Sequence, residues 1–287
     1  NDFFEPGSSI KPFVVAAAME AKHIHGDTLI DTSPGFIRVG PKSVRDHNNL
    51  GMIDVQTVLA KSSNVGMVKI ALMLKPEQMW RQLDALGFGR VSGSGFPGES
   101  AGILTGFAHW RQIGQATMAY GYGLSVTPLQ LAQAYATLGS GGLSRPVSLR
   151  RIEAAPAGER VISEPVAREL VQMMERVVSE EGTARRAAIM GYRVSGKTGT
   201  AWKASGTGGY STNKYMAVFG GVVPASRPRL ACVVVIDEPS GGAYYGGDVS
   251  APVFSSVMSG ALRLLAVPPD DLSSVPATTL VRAQDPW

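Results

Sequence analysis

The chain has 287 residues, 44% of them hydrophobic and 17% charged, with 27 basic against 23 acidic residues and a formal net charge of +4. This composition excludes a disordered or low-complexity chain, and a balance so close to neutral, with no basic stripe interleaved with aromatics, gives no support to nucleic-acid binding. The single cysteine, Cys232, lies in the apolar run "RLACVVVID" and has no partner for an internal disulfide; the sequence shows no run of 18 apolar residues and no signal peptide.

The first element follows "EPGSSIKPF" at positions 5–13, where "IKPFVVAAAM" reads as a buried helix from Ile10 to Met19. Pro12 fits only in its first turn, which places Ser8 at the helix N-terminus. Only seven residues precede Ser8, which points to a fragment of a longer chain. Residues 20–50 read as irregular. "MIDVQTVLAK" and "VGMVKIALML" read as two helical segments broken by Ser62-Ser63-Asn64, and "PEQMWRQLDALG" as a helix started by Pro76 and stopped by Gly87. A glycine-rich loop runs to about residue 106. In "TPLQLAQAYATLG" Thr127 caps, Pro128 is the first helical residue and Gly139 terminates. An amphipathic helix spans 163–181, with Val166, Leu170, Met173 and Val177 on one face.

After Gly182 the period changes to that of strands: "YRVSGKTGTA", "KYMAVFGGVV" and "PRLACVVVID", the last two joined across "PASR". "APVFSSVMSGALRLL" reads as a final helix, and a Pro/Ser/Thr-rich tail from residue 267 to 287 as mobile. Helices in the middle and an antiparallel sheet late in the chain make this an α+β protein, with residues 1–266 as one domain.

Several motif matches fail their structural context. "GESAG" at 98–102 fits the nucleophile elbow of α/β-hydrolases, but no strand precedes Ser100 and no acid lies between it and His109. "GSGFPG" at 93–98 fits a dinucleotide fingerprint, but Pro97 and the missing strand exclude it. His23 and His25 read as surface residues; no metal site and no cofactor is expected. Ser-x-x-Lys occurs at Ser8–Lys11 and at Ser211–Lys214, and only the first opens a buried helix.

That first pair can do chemistry. Residues i and i+3 share a helix face, so Lys11 is within reach of the Ser8 hydroxyl, and the helix N-terminus brings N–H groups and partial positive charge to the same place. A lysine of pKa about 10.4 is almost wholly protonated at neutral pH; burial would have to lower that value by roughly three units, about 4 kcal/mol, for Lys11 to act as a base. Ser62-x-Asn64 follows 54 residues after Ser8, and Lys197-Thr198-Gly199-Thr200 another 135 residues on. The ordered set Ser-x-x-Lys, Ser-x-Asn, Lys-Thr-Gly is that of penicillin-recognising acyl-serine enzymes.

With these motifs, and with "KSSNVGMVKIAL", "GYGLSVTPLQLAQAYATLG" and "YYGGDVSAPVF", the chain resembles the transpeptidase domain of class B penicillin-binding proteins, above all the septal FtsI type. The resemblance runs from residue 1 to about 265. It implies an antiparallel five-stranded sheet flanked by helices, with a strand and helix ordinarily found before the nucleophile helix absent from this chain. It implies Ser8 as nucleophile, Lys11 as base, Ser62 as proton relay, Asn64 as holder of the substrate amide, and Lys197 with Thr198, Gly199 and Thr200 as the substrate-carboxylate site. The N–H groups of Ser8 and Thr200 would form the oxyanion hole. Tyr122, Tyr215, Tyr244 and Tyr245 are candidates for the cleft wall.

By the same resemblance the substrates are peptidoglycan stem peptides and the inhibitors β-lactam antibiotics. Divisome membrane proteins would be met through regions outside this chain, and a membrane-spanning helix outside it would anchor the protein at the periplasmic face of the inner membrane. A β-lactamase or β-lactam sensor, a D,D-carboxypeptidase and a catalytically silent division scaffold share parts of this pattern. Against the first, no asparagine occurs between residues 65 and 212, so the Glu-x-x-x-Asn device of class A β-lactamases is missing.

Overall fold

In the computed structural model, which describes residues 2–205 and 209–275, "KPFVVAAAM" runs through the molecular interior as α1 (Lys11–Glu20). Its apolar residues fall on every side rather than on one stripe, the pattern of a helix surrounded by protein. Every residue from Lys11 to Met19 is buried. A 3-10 turn at Gly7–Ile10 leads into it, and Pro12 occupies the first helical turn as expected.

The stretch read as irregular contains short strands: β1 (Leu29–Asp31), β2 (Phe36–Val39), β3 (Lys42–Arg45) and, just beyond it, β4 (Met52–Asp54). They pair antiparallel as β1 with β4 and β2 with β3. Runs this short carry too few alternations to register as strands. Met52–Asp54 was expected to begin a helix; instead Asp54 ends β4 and caps α2 (Val55–Ala60), accepting the Thr57 N–H at 2.7 Å. Then follow α3 (Asn64–Met73), α4 (Pro76–Ala85), α5 (Gln112–Met118) and α6 (Pro128–Gly139). Thr127 and Gln130 close a reciprocal capping box at the start of α6. A small pair, β5 (Leu143–Ser144) with β6 (Glu159–Arg160), precedes α7 (Glu164–Val178).

The main sheet is antiparallel in the order β7 (Ser195–Ala204), β8 (Tyr210–Val223), β9 (Leu230–Asp237), and α8 (Gly246–Leu264) covers one face. Strand alternation sends Val218 and Val222 toward the core around α1, α6 and α7, while Phe219 and Val223 face Phe254, Met258 and Leu262 of α8. Each such fully buried side chain contributes about 1.5–3 kcal/mol. Helix α8 begins five residues before the reading from "APVF", with Pro252 inside it. Proline cannot donate to the carbonyl of Asp248, and Arg186 Nη1 donates to that carbonyl instead, at 2.8 Å.

Two expectations are corrected here. Among the described residues the main sheet has three strands, not five; only three strand patterns were legible in the sequence, and the number five came from resemblance. The mobile tail does not begin at 267. Val267 is buried, and Asp270 accepts the N–H groups of Arg193 and Ser226. Residues 276–287 lie outside the described residues.

Candidate active site

The two adjacent serines have separate fates. Ser9 is fully buried and its Oγ donates to Pro6 O at 2.7 Å, so it serves the turn. Ser8 is half-exposed, and its hydroxyl forms no hydrogen bond among the described residues. The turn that carries it is fixed from behind: Tyr135 of α6, itself fully buried, donates its hydroxyl to Ser9 O at 2.9 Å. Strand β7 crosses so close that a Cβ at Gly199 would lie 2.6 Å from Pro6 O, a separation only glycine permits.

Lys11 stands one turn beyond Ser8 and is wholly buried. Its Nζ donates to Ser62 O at 2.6 Å, Asn64 Oδ1 at 2.9 Å and Ser62 Oγ at 3.1 Å. Lys197, also wholly buried, reaches the same hydroxyl from β7, with Nζ 3.0 Å from Ser62 Oγ. One hydroxyl therefore joins two buried amines from distant parts of the chain. It carries a single proton, so with both lysines charged that proton has no amine to go to; with one neutral, Ser62 accepts from the charged amine and donates to the other. Burial lowers Lys197 to about 7. Burial also drives Lys11 well below the usual lysine range, the positive charge of Lys197 drives it further, and Asp46 partly opposes both. The packing of α1 thus supplies the desolvated amine that the sequence requires, and its hydrogen bonds run to Ser62 and Asn64, with none to the Ser8 hydroxyl among the described residues.

Ser62 has φ +58°, a left-handed backbone that a non-glycine residue adopts at a cost of about 1–3 kcal/mol. What holds it is Asp46, which was not singled out in the sequence. One oxygen of its carboxylate accepts the N–H groups of Asn64 and Val65, and the other accepts the Ser63 hydroxyl at 2.5 Å. Ser63 in turn caps α3 by accepting the Gly66 N–H at 2.8 Å. The only signal was indirect: α3 needs an anion at its N-terminus, and Asp46 is one of two acids shortly upstream.

Strand β7 is an edge strand, and its free side faces the Ser8 turn. Trp202 N–H leaves that side to reach Tyr122 Oη at 3.3 Å. Alternate residues of a strand direct their N–H groups the same way, so Thr200 N–H is aimed at the same edge. Ser8 N–H belongs to the first turn, where no intrahelical carbonyl awaits it. Thr198 Oγ1 lies 2.8 Å from Thr183 Oγ1, and Thr200 Oγ1 accepts the Gly246 N–H at 3.1 Å, which ties the start of α8 to the site. Tyr244 stacks on Tyr215 at 4.2 Å and tilts against Tyr245 at 4.5 Å. Tyr245 is the residue before Gly246, so this stack stands next to Thr200, and Tyr122 stands on the other side by Trp202.

The discarded matches stay apart from this cluster. Among the described residues Ser100 Oγ accepts only the Gly102 N–H of its own loop, and in the second Ser-x-x-Lys the Lys214 ammonium pairs with Glu238 at the surface.

Known proteins resemble this chain in sequence and in fold. The family model "Penicillin binding protein transpeptidase domain" matches residues 1–259. The "Peptidoglycan D,D-transpeptidase FtsI" of Escherichia coli K12 is 43% identical over 274 residues, covering 96% of this chain and 46% of that protein. The "Probable peptidoglycan D,D-transpeptidase PenA" of Neisseria meningitidis serogroup A is 42% identical over 269 residues, covering 94% of this chain and 46% of that protein. The chain thus spans about half the length of these curated relatives. The solved apo structure of the TP domain of Burkholderia pseudomallei penicillin-binding protein 3 superposes with a TM-score of 0.90 at 44% identity, covering 94% of this chain and 82% of that one. With the family model spanning nearly the whole chain and the three motifs joined at the Ser62 hydroxyl, the chain belongs to the penicillin-binding protein transpeptidase domain family.

Proposed function

We propose that this chain is the catalytic part of a peptidoglycan D,D-transpeptidase of the septal type, acting through an acyl-serine. The observation that carries the reading is the shared hydroxyl of Ser62 between two buried lysine amines, one of them three residues after a half-exposed serine whose hydroxyl makes no hydrogen bond among the described residues. In this reading neutral Lys11 takes the Ser8 proton as Ser8 Oγ attacks the penultimate D-Ala carbonyl of a stem peptide. The N–H groups of Ser8 and Thr200 receive the developing oxyanion, each worth about 3 kcal/mol. Ser62, which touches both amines, passes a proton to the departing D-Ala nitrogen; Asn64 holds the substrate amide. Lys197 with Thr198 and Thr200 binds the terminal carboxylate, and an amine of a second stem peptide then takes the acyl group. A β-lactam enters the same path and stays as the acyl-enzyme. The names of the FtsI and PenA relatives support the substrate class, and the missing Glu-x-x-x-Asn device favours slow deacylation over a β-lactamase. No helix among the described residues is long and apolar enough to cross a membrane; a membrane anchor, a periplasmic location and divisome partners are proposed for the parts of the relatives this chain does not span.

Incubation with a labelled penicillin followed by peptide mass mapping is expected to place one stable adduct on Ser8 and none in Ser8→Ala. An adduct on Ser100 or Ser211, no adduct, or rapid release of hydrolysed drug contradicts the proposal.

Asp46 makes a second test. Its negative charge favours the ammonium form of Lys11. In Asp46→Asn that influence is gone, Lys11 loses its proton more readily, and penicillin acylation persists to lower pH. An acid limb that stays in place, or moves to higher pH, speaks against Lys11 as the base.

A further inference from the structure

Glu5 lies three residues before Ser8 and has no part in the chemistry above. Its Oε1 accepts the Gly123 N–H at 2.7 Å and the Tyr210 hydroxyl at 3.2 Å, while Oε2 is buried without a hydrogen-bond partner. Glu5 forms no salt bridge among the described residues, and burial pushes its carboxyl above the usual range. A carboxylate placed this way is unfavourable for the fold alone, and such local conflicts concentrate where function is built.

The two groups it holds belong to separate segments of the chain. Gly123 belongs to the loop after α5, which also lies against the nucleophile turn: Gly7 N–H donates to Gly121 O at 3.2 Å, and a Cβ at Gly121 would fall 2.0 Å from Gly7 O. Tyr210 opens β8 at the far end of the β7–β8 hairpin. Tyr122, from the loop, meets the Tyr210 ring edge-on at 5.3 Å and accepts the Trp202 N–H. Trp202 lies two residues beyond Thr200 on the same face of β7, so this aromatic pair continues the line of the site away from the carboxylate end.

We propose that Glu5 is a positioning residue: by holding loop and hairpin on one carboxylate oxygen it braces Tyr122 and Tyr210 as a rigid wall, against which an acyl donor packs a bulky apolar or aromatic side group. The inference rests on the acyl-serine reading and adds a determinant of donor selection. The wall supplies binding before bond formation, so it acts on the half-saturation concentration rather than on the limiting rate of acylation.

The experiment compares acylation of the chain by benzylpenicillin, which carries an aromatic acyl group, and by 6-aminopenicillanic acid, which carries none. In Glu5→Ala both hydrogen bonds are lost, and the preference for benzylpenicillin falls about tenfold through its half-saturation concentration. Glu5→Gln keeps an oxygen acceptor and restores the preference. Tyr210→Phe removes one hydroxyl and lowers the preference about threefold; it carries the test alone should Glu5→Ala not fold. An equal loss on both compounds in the limiting rate, or an unchanged preference in Glu5→Ala and Tyr210→Phe, overturns the proposal. No adduct at Ser8 in the unaltered chain overturns the acyl-serine reading itself; an adduct with unchanged preference overturns only the role of Glu5.

Discussion

Replacing Lys11 with alanine is expected to lower the acylation of Ser8 by penicillin about 10³–10⁴-fold, near the upper end of what loss of a general base removes. The reason lies in the network. Lys11 Nζ is bound to Ser62 O, Ser62 Oγ and Asn64 Oδ1, so its removal takes away the proton acceptor and also frees the hydroxyl that links it to Lys197. Arginine at this position separates the two losses, because a guanidinium keeps the charge and donors but does not give up a proton. Lys11→Arg is therefore expected to be as inactive as Lys11→Ala. Stopped-flow acylation with a chromogenic cephalosporin measures both, and activity of the arginine variant within tenfold of the unaltered chain would rule out a base at this position.

The parts of this site that were legible in sequence are those whose function lies in short, rigid local patterns. Ser8 and Lys11 share a helix end, Ser62 and Asn64 flank a break between helices, and Lys197–Thr200 lie on one strand. What joins them was not legible. Asp46 acts through backbone N–H groups 18 and 19 positions away, and its surroundings were read as irregular because strands of three or four residues show no clear period. Glu5 looked like part of the "EPGSS" turn, and its partners Gly123 and Tyr210 lie 118 and 205 positions away. The start of α8 was misplaced because proline is read as a helix start, whereas here Arg186 from another segment satisfies the carbonyl that Pro252 leaves open. Helix and strand types followed from periodicity; the cleft depends on contacts between elements, which periodicity does not encode.

Replacing Lys197 with methionine is expected to make the protein more stable and less active, and the stability gain is expected to depend on pH in one direction. Burial holds Lys197 at about 7 in the folded chain against 10.5 for an ordinary lysine. Between those values the unfolded chain carries a proton that the native chain does not, so native stability rises with pH across that window and the burden is full below pH 7. Methionine has no such proton and fills a similar apolar volume, so the variant's advantage is greatest at low pH and shrinks by about 3 kcal/mol between pH 6.5 and 9.5. The relief of Lys11, which loses a positive neighbour, acts in the same sense. Chemical denaturation of both chains at several pH values measures the gap, and a gap that stays level or widens as pH rises would mean that Lys197 is not held neutral-prone by burial. At and below about pH 7, where the unaltered chain carries the Lys197 ammonium, the variant should also acylate poorly, because the substrate carboxylate has lost its cation, worth about 1.5–3 kcal/mol. A site that gains stability when one of its two buried amines is removed is a site where the fold has been kept under electrostatic load for the sake of the reaction.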